Sequence, residues 1–416
     1  MQEKNKSMGD TKWFTHDRFG MFIHWGLYAM PARHEWVKST EHMTDEHYNV
    51  YFEHFEPDLF DPKAWAEAAY NAGMRYFVIT TKHHEGFCLW DTQLTDYKAT
   101  NTMAQKDLLR EIIDAFRGKG MKVGLYHSLL DWHHPEYTPD LAHPLKEDKV
   151  FLESAKNRDL NKYVDYLYAQ TRELLTEYGR IDILWYDYSI QGEGGFPGKG
   201  KDVWRSEELI KMIRELQPGI IINNRLDIPQ DIETPEQFQP RQWVTVDGTP
   251  RVWEACQTFS GSWGYHRDET SWKPVGMLVR MLVDSVSKGG NLLLNVGPDA
   301  RGELDSRTIN SLKGIGDWMR LHNRSIYGCT QAPQEITCPQ DCRLTYNPNT
   351  QRLYIHIFSW PFAHLHFDGM AGKIKYAQFL NDASEVQMTE KESTVTFRLP
   401  VKPVNDMLPV VEVFLV

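Results

Sequence analysis

Basic charge is scarce: 46 Lys and Arg face 57 Asp and Glu, for a net charge of −11. A nucleic-acid backbone or an anionic membrane would require a concentrated basic face, so neither is expected as a partner. Uninterrupted apolar runs of membrane-spanning length are also lacking. The opening MQEKNKSMGD has no apolar core of the kind a secretory signal needs. Cysteine is sparse. Cys88, Cys256, Cys329, Cys338 and Cys342 are odd in number and without paired short spacing, which indicates neither a disulfide framework nor a zinc site. A reducing cytoplasm is therefore the expected location, with a secreted form whose leader has been removed left open. The glycine-rich QGEGGFPGKGK lacks both P-loop and dinucleotide spacing, so it reads as a flexible lid rather than a phosphate cradle.

Rings, by contrast, are plentiful: 14 Trp, 19 Tyr, 19 Phe and 17 His suit a large core, and suit a sugar or aromatic ligand as well. Strand and helix signals alternate along the chain. Apolar strands are expected at Gly20–Trp25, Arg75–Lys82, Met121–Ser128, Ile181–Tyr188, Gly219–Asn224, Val252–Thr258 and Asn291–Val296. Helical spacing separates most of them, as in Leu160, Tyr163, Val164, Leu167, Leu174 and Leu175 ahead of Gly179. Some 300 residues of this order predict a parallel sheet, most economically a (β/α) barrel, although the count falls short of a clean eight. From Ala332 the pattern turns to short alternating strands such as Arg352–Phe358, Thr394–Leu399 and Val410–Val416. The expected organisation is α/β, with a (β/α)8-like barrel over residues 1–328 and an antiparallel β-sandwich over 329–416.

Reacting groups collect at the carboxyl ends of barrel strands, where a rigid strand meets a variable loop. Asp187 ends the IDILWYDY strand between aromatic residues. His24 ends the first strand, with Glu35 and Trp36 in the loop beyond it. Lys82, His83, His84 and Glu85 close the second; Tyr126 and His127 end the third, with Asp131, His133 and His134 following. Asn223, Asn224 and Arg225 end the fifth, and a loop with Glu233 and Glu236 comes next. Glu254, Trp263 and Tyr265 accompany the sixth. A lone His after a strand is usually packing, and neighbours such as His83 and His84 point to opposite sides if the backbone stays extended. Several strand ends offering His, Arg, Trp and acids together are hard to obtain from packing. One chemistry is a metal-dependent hydrolase using the histidine cluster, but no HExxH or other fixed-spacing ligand set is present. The other is metal-free polyol hydrolysis: Arg and imidazoles for hydroxyls, an indole face for C–H surfaces, and two acids for the glycosidic bond.

WFTHDRFGMFIHWG, HEWV, YFVITTKHHEGFCLWDT, LWYDY, INNR with TPE downstream, and SKGGNLLLNVGPDARG together resemble the α-L-fucosidases of glycoside hydrolase family 29, over roughly Trp13 to Gly328. The resemblance implies an imperfect barrel with a C-terminal sandwich, and retaining exo-hydrolysis of terminal α-L-fucose from glycans or glycosides without metal or organic cofactor. It implies that Asp187 is the nucleophile and that His24, Glu35, Trp36, His83, His84, Trp185, Arg225 and Trp263 bind the sugar. The acid/base varies in position within that family; TPE points to Glu236, with Glu233 and Glu254 in reserve. Two departures stand out: Glu85 where relatives often carry Asp, and Tyr188 where many carry Gly. A fucose-bearing small molecule or oligosaccharide is the expected partner, and homo-oligomerisation is left open. A non-catalytic fucose-binding protein on the same scaffold is the reading from another class, though both carboxylate candidates are present.

Overall fold

The computed structural model describes residues 8–405 and 407–416. Its centre is a curled, all-parallel sheet of seven strands: β1 (Phe19–Ile23), β2 (Tyr76–Lys82), β3 (Lys122–Ser128), β4 (Ile183–Asp187), β5 (Ile221–Ile222), β6 (Glu254–Thr258) and β7 (Asn291–Val296). They lie in the order β5-β4-β3-β2-β1-β7-β6. Nearly every strand residue is buried, as expected for a parallel sheet covered by crossover helices.

The crossovers are α1 (Pro62–Asn71), α2 (Leu108–Gly118), α3 (Leu160–Glu177), α4 (Ser206–Leu216) and α5 (Val275–Val286), and α6 (Ser306–His322) follows the last strand, β7. Four begin at an aspartate whose carboxylate accepts from first-turn amides: Asp61, Asp107, Asp159 and Asp305. Each such cap is worth about 1 kcal/mol. On α3 the buried stripe runs through Tyr163, Val164, Leu167, Leu174 and Leu175. Gly179, at φ +69°, turns the chain out of α3 into β4.

No α-helix joins β5 to β6. Instead, the segment 232–236 runs between those two edge strands and touches both by isolated parallel bridges: Asn223 with Ile232, Glu233 with Trp253, and Glu236 with Cys256. Sequence pattern hides this segment because Glu233, Thr234 and Glu236 break its apolar character. The fifth strand is also shorter than the Gly219–Asn224 expected. The Asn223 side chain replaces the backbone there: its Oδ1 accepts from the Tyr186 amide at 3.0 Å and its Nδ2 donates to the Tyr186 carbonyl at 2.8 Å. With β4 so satisfied, the main chain is free to enter a tight turn at Asn224–Leu226 that swings Arg225 over the sheet. The glycine-rich stretch folds back as a hairpin, Ile190 bridging Lys199 and Glu193 bridging Phe196.

C-terminal residues build two antiparallel sheets. One has β8 (Cys342–Asn347), β9 (Arg352–Ile357), β11 (Ile374–Phe379) and β14 (Val410–Leu415), edged by Thr330–Gln331; the other has β10 (His364–Phe367), β12 (Met388–Lys391) and β13 (Thr394–Arg398). A single buried cluster, including Leu353, Ile355, Phe367, Val395, Phe397 and Val413, draws on both. On the other face of the larger sheet, Thr345 donates to the Ser325 carbonyl and Trp318 of α6 to the Leu408 carbonyl.

Candidate active site

The carboxyl ends of the parallel strands surround a cavity lined by His24, Glu35, Trp36, His83, His84, Trp185, Asp187, Arg225, Glu236 and Trp263, together with Phe22, Tyr126, Tyr188 and Cys256. The first ten of these are the residues given a catalytic or sugar-binding role in the sequence reading. The cavity is blind. His24, Glu35, His83, His84, Tyr126 and Trp185 are buried at its base, whereas Trp36, Asp187, Tyr188, Arg225, Glu236 and Trp263 are partly exposed at its rim.

Two of the three histidines have their tautomers set from behind. Asn295 donates its amide N–H to the Trp263 carbonyl at 2.7 Å, so its Oδ1, 2.6 Å from His24 Nδ1, accepts from that nitrogen. Ser128 donates its hydroxyl to the Leu130 carbonyl at 2.8 Å, so its Oγ likewise accepts from His84 Nδ1 at 2.7 Å. Burial, then the charge of His83, pushes the His24 pKa well below the usual range; burial followed by His83, His24 and Lys82 does the same for His84. Both rings are thus neutral with Nε2 an acceptor, which suits them to sugar hydroxyls. His83 Nδ1 lies 3.5 Å from Glu85 Oε2, too long for a full hydrogen bond. Glu35 is fixed through one oxygen: its Oε2 accepts the Trp263 and Gly264 amides at 3.1 and 2.8 Å.

Arg225 organises the acidic rim. Its Nη1 donates to Asp187 Oδ1 at 3.1 Å and its Nη2 to Glu236 Oε2 at 2.8 Å, while Nε is held by Thr234 Oγ1 at 3.0 Å. The guanidinium sits over the Trp185 ring, 5.0 Å from its centroid. The other oxygen of Asp187 accepts from Tyr126 Oη at 2.9 Å. Burial raises the Asp187 pKa above the ordinary carboxylate value; Arg225 and the Tyr126 hydroxyl oppose that rise and Glu236 adds to it. Glu236 is the more open of the pair, its side chain 40% exposed against 16% for Asp187.

The two reserve acids are elsewhere. Glu233 lies off the cavity, accepting from Asn224 Nδ2 at 2.5 Å. Glu254 is fully buried beneath the cavity floor, accepting from Tyr76 Oη at 2.6 Å and from Trp185 Nε1 at 3.4 Å. Among the described residues no group of three or more His, Cys, Asp or Glu is arranged to hold a metal ion.

The family model described as alpha-L-fucosidase matches residues 1–324. The chain belongs to the alpha-L-fucosidase family, glycoside hydrolase family 29. It is 44% identical to alpha-L-fucosidase isoenzyme 1 from Paenibacillus thiaminolyticus, whose structure superposes with a TM-score of 0.92 over 98% of this chain and 99% of that one. A family 29 alpha-L-fucosidase from Bacteroides thetaiotaomicron, solved as a trapped covalent intermediate with 2-fluoro-fucosyl fluoride, is 27% identical with a TM-score of 0.85 over 99% and 98% of the two chains. Human plasma alpha-L-fucosidase is 28% identical over 380 residues, covering 84% of this chain and 76% of that protein.

In this family member the strand-end residues divide by the direction their side chains take. Tyr126 faces the cavity, while His127, next along β3, is fully buried away from it with Nδ1 3.0 Å from Thr81 Oγ1. Asp131 pairs with buried Lys82 at 3.0 Å; Asp131, His133, His134 and Tyr265 do not line the cavity. The alternation expected of His83 and His84 does not hold. β2 ends at Lys82 and the chain turns, Gly86 N–H donating to the His83 carbonyl at 3.1 Å, so both rings face inward with centroids 4.0 Å apart. Tyr188 adopts φ +81°, a left-handed conformation that favours glycine and strains a tyrosine; its ring packs against Trp36 and His84.

Replacing His24 or His84 by Ala should lower kcat/KM on a fucoside by about 100-fold, ~3 kcal/mol, with only a modest change in melting temperature. A collapsed melting temperature with near-normal kinetics would return these rings to packing. Glu254 invites a stability test. Burial pushes its pKa up to about 7 from 4.5, outweighing the Tyr76 and Trp185 hydrogen bonds. The neutral carboxyl therefore contributes stability that is fully present below pH 4.5 and is lost as pH rises through 7, amounting to about 3 kcal/mol. Glu254→Gln, which mimics the protonated acid, should melt above the wild type at pH 8, the gap shrinking toward pH 4.5. Parallel melting curves would show that Glu254 titrates normally.

Proposed function

We propose that the chain is a retaining exo-α-L-fucosidase in which Asp187 is the nucleophile and Glu236 the acid/base. The observation that carries this is Arg225, one guanidinium holding two unlike carboxylates at the rim of a blind, aromatic-lined cavity. Asp187, anchored at a strand end, attacks the anomeric carbon while Glu236 protonates the departing oxygen. Glu236 then takes a proton from the water that frees the sugar. Holding two carboxylates so close to one arginine suits the double displacement, whose acids sit nearer together than those of an inverting pair.

Sugar recognition falls to His24, Glu35, Trp36, His83 and His84 for hydroxyls and to Trp185 and Trp263 for C–H faces. Phe22, Trp185 and Cys256 make an apolar corner suited to the methyl of a 6-deoxy sugar. A blind base admits only a terminal residue. Architecturally, segment 232–236 would be the eighth stave of an imperfect (β/α)8-like barrel in residues 1–328, with 329–416 a β-sandwich; the buried cluster shared by the two C-terminal sheets supports the latter.

Incubation with an aryl α-L-fucoside followed by proton NMR tests the activity. α-Fucose should be the first product, at a rate indifferent to EDTA. β-Fucose as first product would exclude retention, and loss of rate on chelation, restored by zinc or manganese, would make the histidines metal ligands.

A further inference from the structure

Trp36 and Tyr188 do not only line the blind cavity. Both also line a second, open cavity on their far side, bordered by Ser39, His42, Lys146, Glu147, Gln191 and Glu193. The two rings, 5.5 Å between centroids, form a common wall, and Trp36 is braced against Trp132 at 5.4 Å. Tyr188 directly follows Asp187, so the second cavity begins beside the carboxylate at which the glycosidic bond breaks. Whatever is attached to the anomeric carbon must leave through the rim, because the base of the first cavity is closed by buried side chains.

The geometry points to this second cavity as the subsite for the leaving sugar, and its chemistry to a neutral pyranose. The inference rests on the fucosidase reading above and deepens it. Indole and phenol rings at the shared wall, with Leu141, Ala142 and Ile190, offer apolar surface to a pyranose C–H face, and the polar side chains of the lining are suited to hydroxyls or an acetamido group. Charge narrows the class. Glu147 and Glu193 outnumber Lys146, whose Nζ is partly engaged by the Leu141 carbonyl at 2.8 Å, so a sulfated or carboxylated sugar meets net repulsion.

The outer wall is the hairpin carrying Gln191 and Glu193, and it is fixed at its root. Lys199, fully buried, donates to Asp140 Oδ2 at 2.5 Å and to the Thr138 carbonyl at 2.6 Å, and sits over the Tyr137 ring at 4.0 Å. That buried ion pair holds the hairpin in place before any sugar arrives, which lowers the ordering cost of binding. It also leaves the exposed Gln191 and Glu193 free to be changed without disturbing the root.

The test compares two substrates on the full chain. α-L-Fucosyl fluoride has no sugar to place in the second cavity; a neutral disaccharide with α-L-fucose on a hexose or N-acetylhexosamine does. In the double variant Gln191→Ala/Glu193→Ala, kcat/KM on the disaccharide should fall about tenfold or more, as expected for lost polar contacts, while that on the fluoride stays within about twofold. Glu193→Lys alone should raise the rate on a sulfated disaccharide relative to the neutral one. Unchanged disaccharide kinetics, equal losses on both substrates, or an unmoved sulfated-to-neutral ratio would overturn the subsite. A wild-type chain inactive on the fluoride would instead overturn the fucosidase reading itself, so the two failures are distinguishable.

Discussion

Asp187→Ala should slow every fucoside by at least about four orders of magnitude in kcat, ~5 kcal/mol, whatever the leaving group. The size follows from what the side chain is asked to do. In the proposed first displacement it forms the bond that the departing oxygen gives up, so no improvement of the leaving group compensates for its loss. Tyr126 Oη and Arg225 Nη1 hold its two oxygens at 2.9 and 3.1 Å. Burial raises its pKa and so favours the protonated, unreactive acid; these two donors oppose that rise and favour the carboxylate, the form that attacks. Truncation to Ala leaves Arg225 paired with Glu236 and opens room beside the anomeric carbon. Azide can enter there and displace the leaving group directly, with one inversion, giving β-fucosyl azide. An Asp187→Ala enzyme retaining more than about a hundredth of the wild-type kcat on an aryl fucoside would mean that another group attacks.

Much of the site was legible because the parallel strands end in short motifs that carry their own chemistry. His24, the His83–His84 pair and Asp187 each stand at or one or two residues past the end of an apolar run, and the resemblance supplied their roles. Other members of the lining were not legible. Phe22 and Cys256 read as core because an inward-facing residue of a curled parallel sheet has the same pattern whether it meets another side chain or a cavity. Their positions two residues before His24 and two after Glu254 were the available signal, since alternate strand residues share a face. Tyr126 was visible at a strand end, yet nothing local separates it from His127; only the direction of the side chains does. The bridging segment 232–236 was missed as structure for a related reason. Its backbone pairs at isolated points on both sides, which leaves no run of alternation to detect, and of its two acids Glu236 lines the cavity while Glu233 is held by Asn224. The fifth strand was overestimated because Asn223 continues the pairing through its side chain, which no strand propensity records.

Glu236→Ala should separate substrates by leaving group, where Asp187→Ala slows them all. A disaccharide departs as a poor leaving group and needs the proton, so its kcat/KM should fall by about three orders of magnitude or more. An activated aryl fucoside needs little protonation and should form the covalent intermediate at a near-normal rate. Turnover then stalls at the second step, because no base remains to activate water, and a burst of phenol should precede a slow steady state. Azide needs no base. It should speed that steady state and, after two inversions, give α-fucosyl azide, opposite in configuration to the product of the Asp187 variant. Two features support the proposed role of Glu236 in both steps: the contact with Arg225 Nη2 at 2.8 Å and its position at the open rim, where water can reach it. Glu254, sealed beneath Trp185, and Glu233, tied to Asn224 off the cavity, have no such access. Glu254→Gln and Glu233→Gln should therefore keep the wild-type dependence on leaving group and gain nothing from azide. If either shows the burst and the rescue while Glu236→Ala slows activated and unactivated fucosides alike, the proton travels through that residue, and the partnership of Arg225 with Glu236 serves only to hold the rim together.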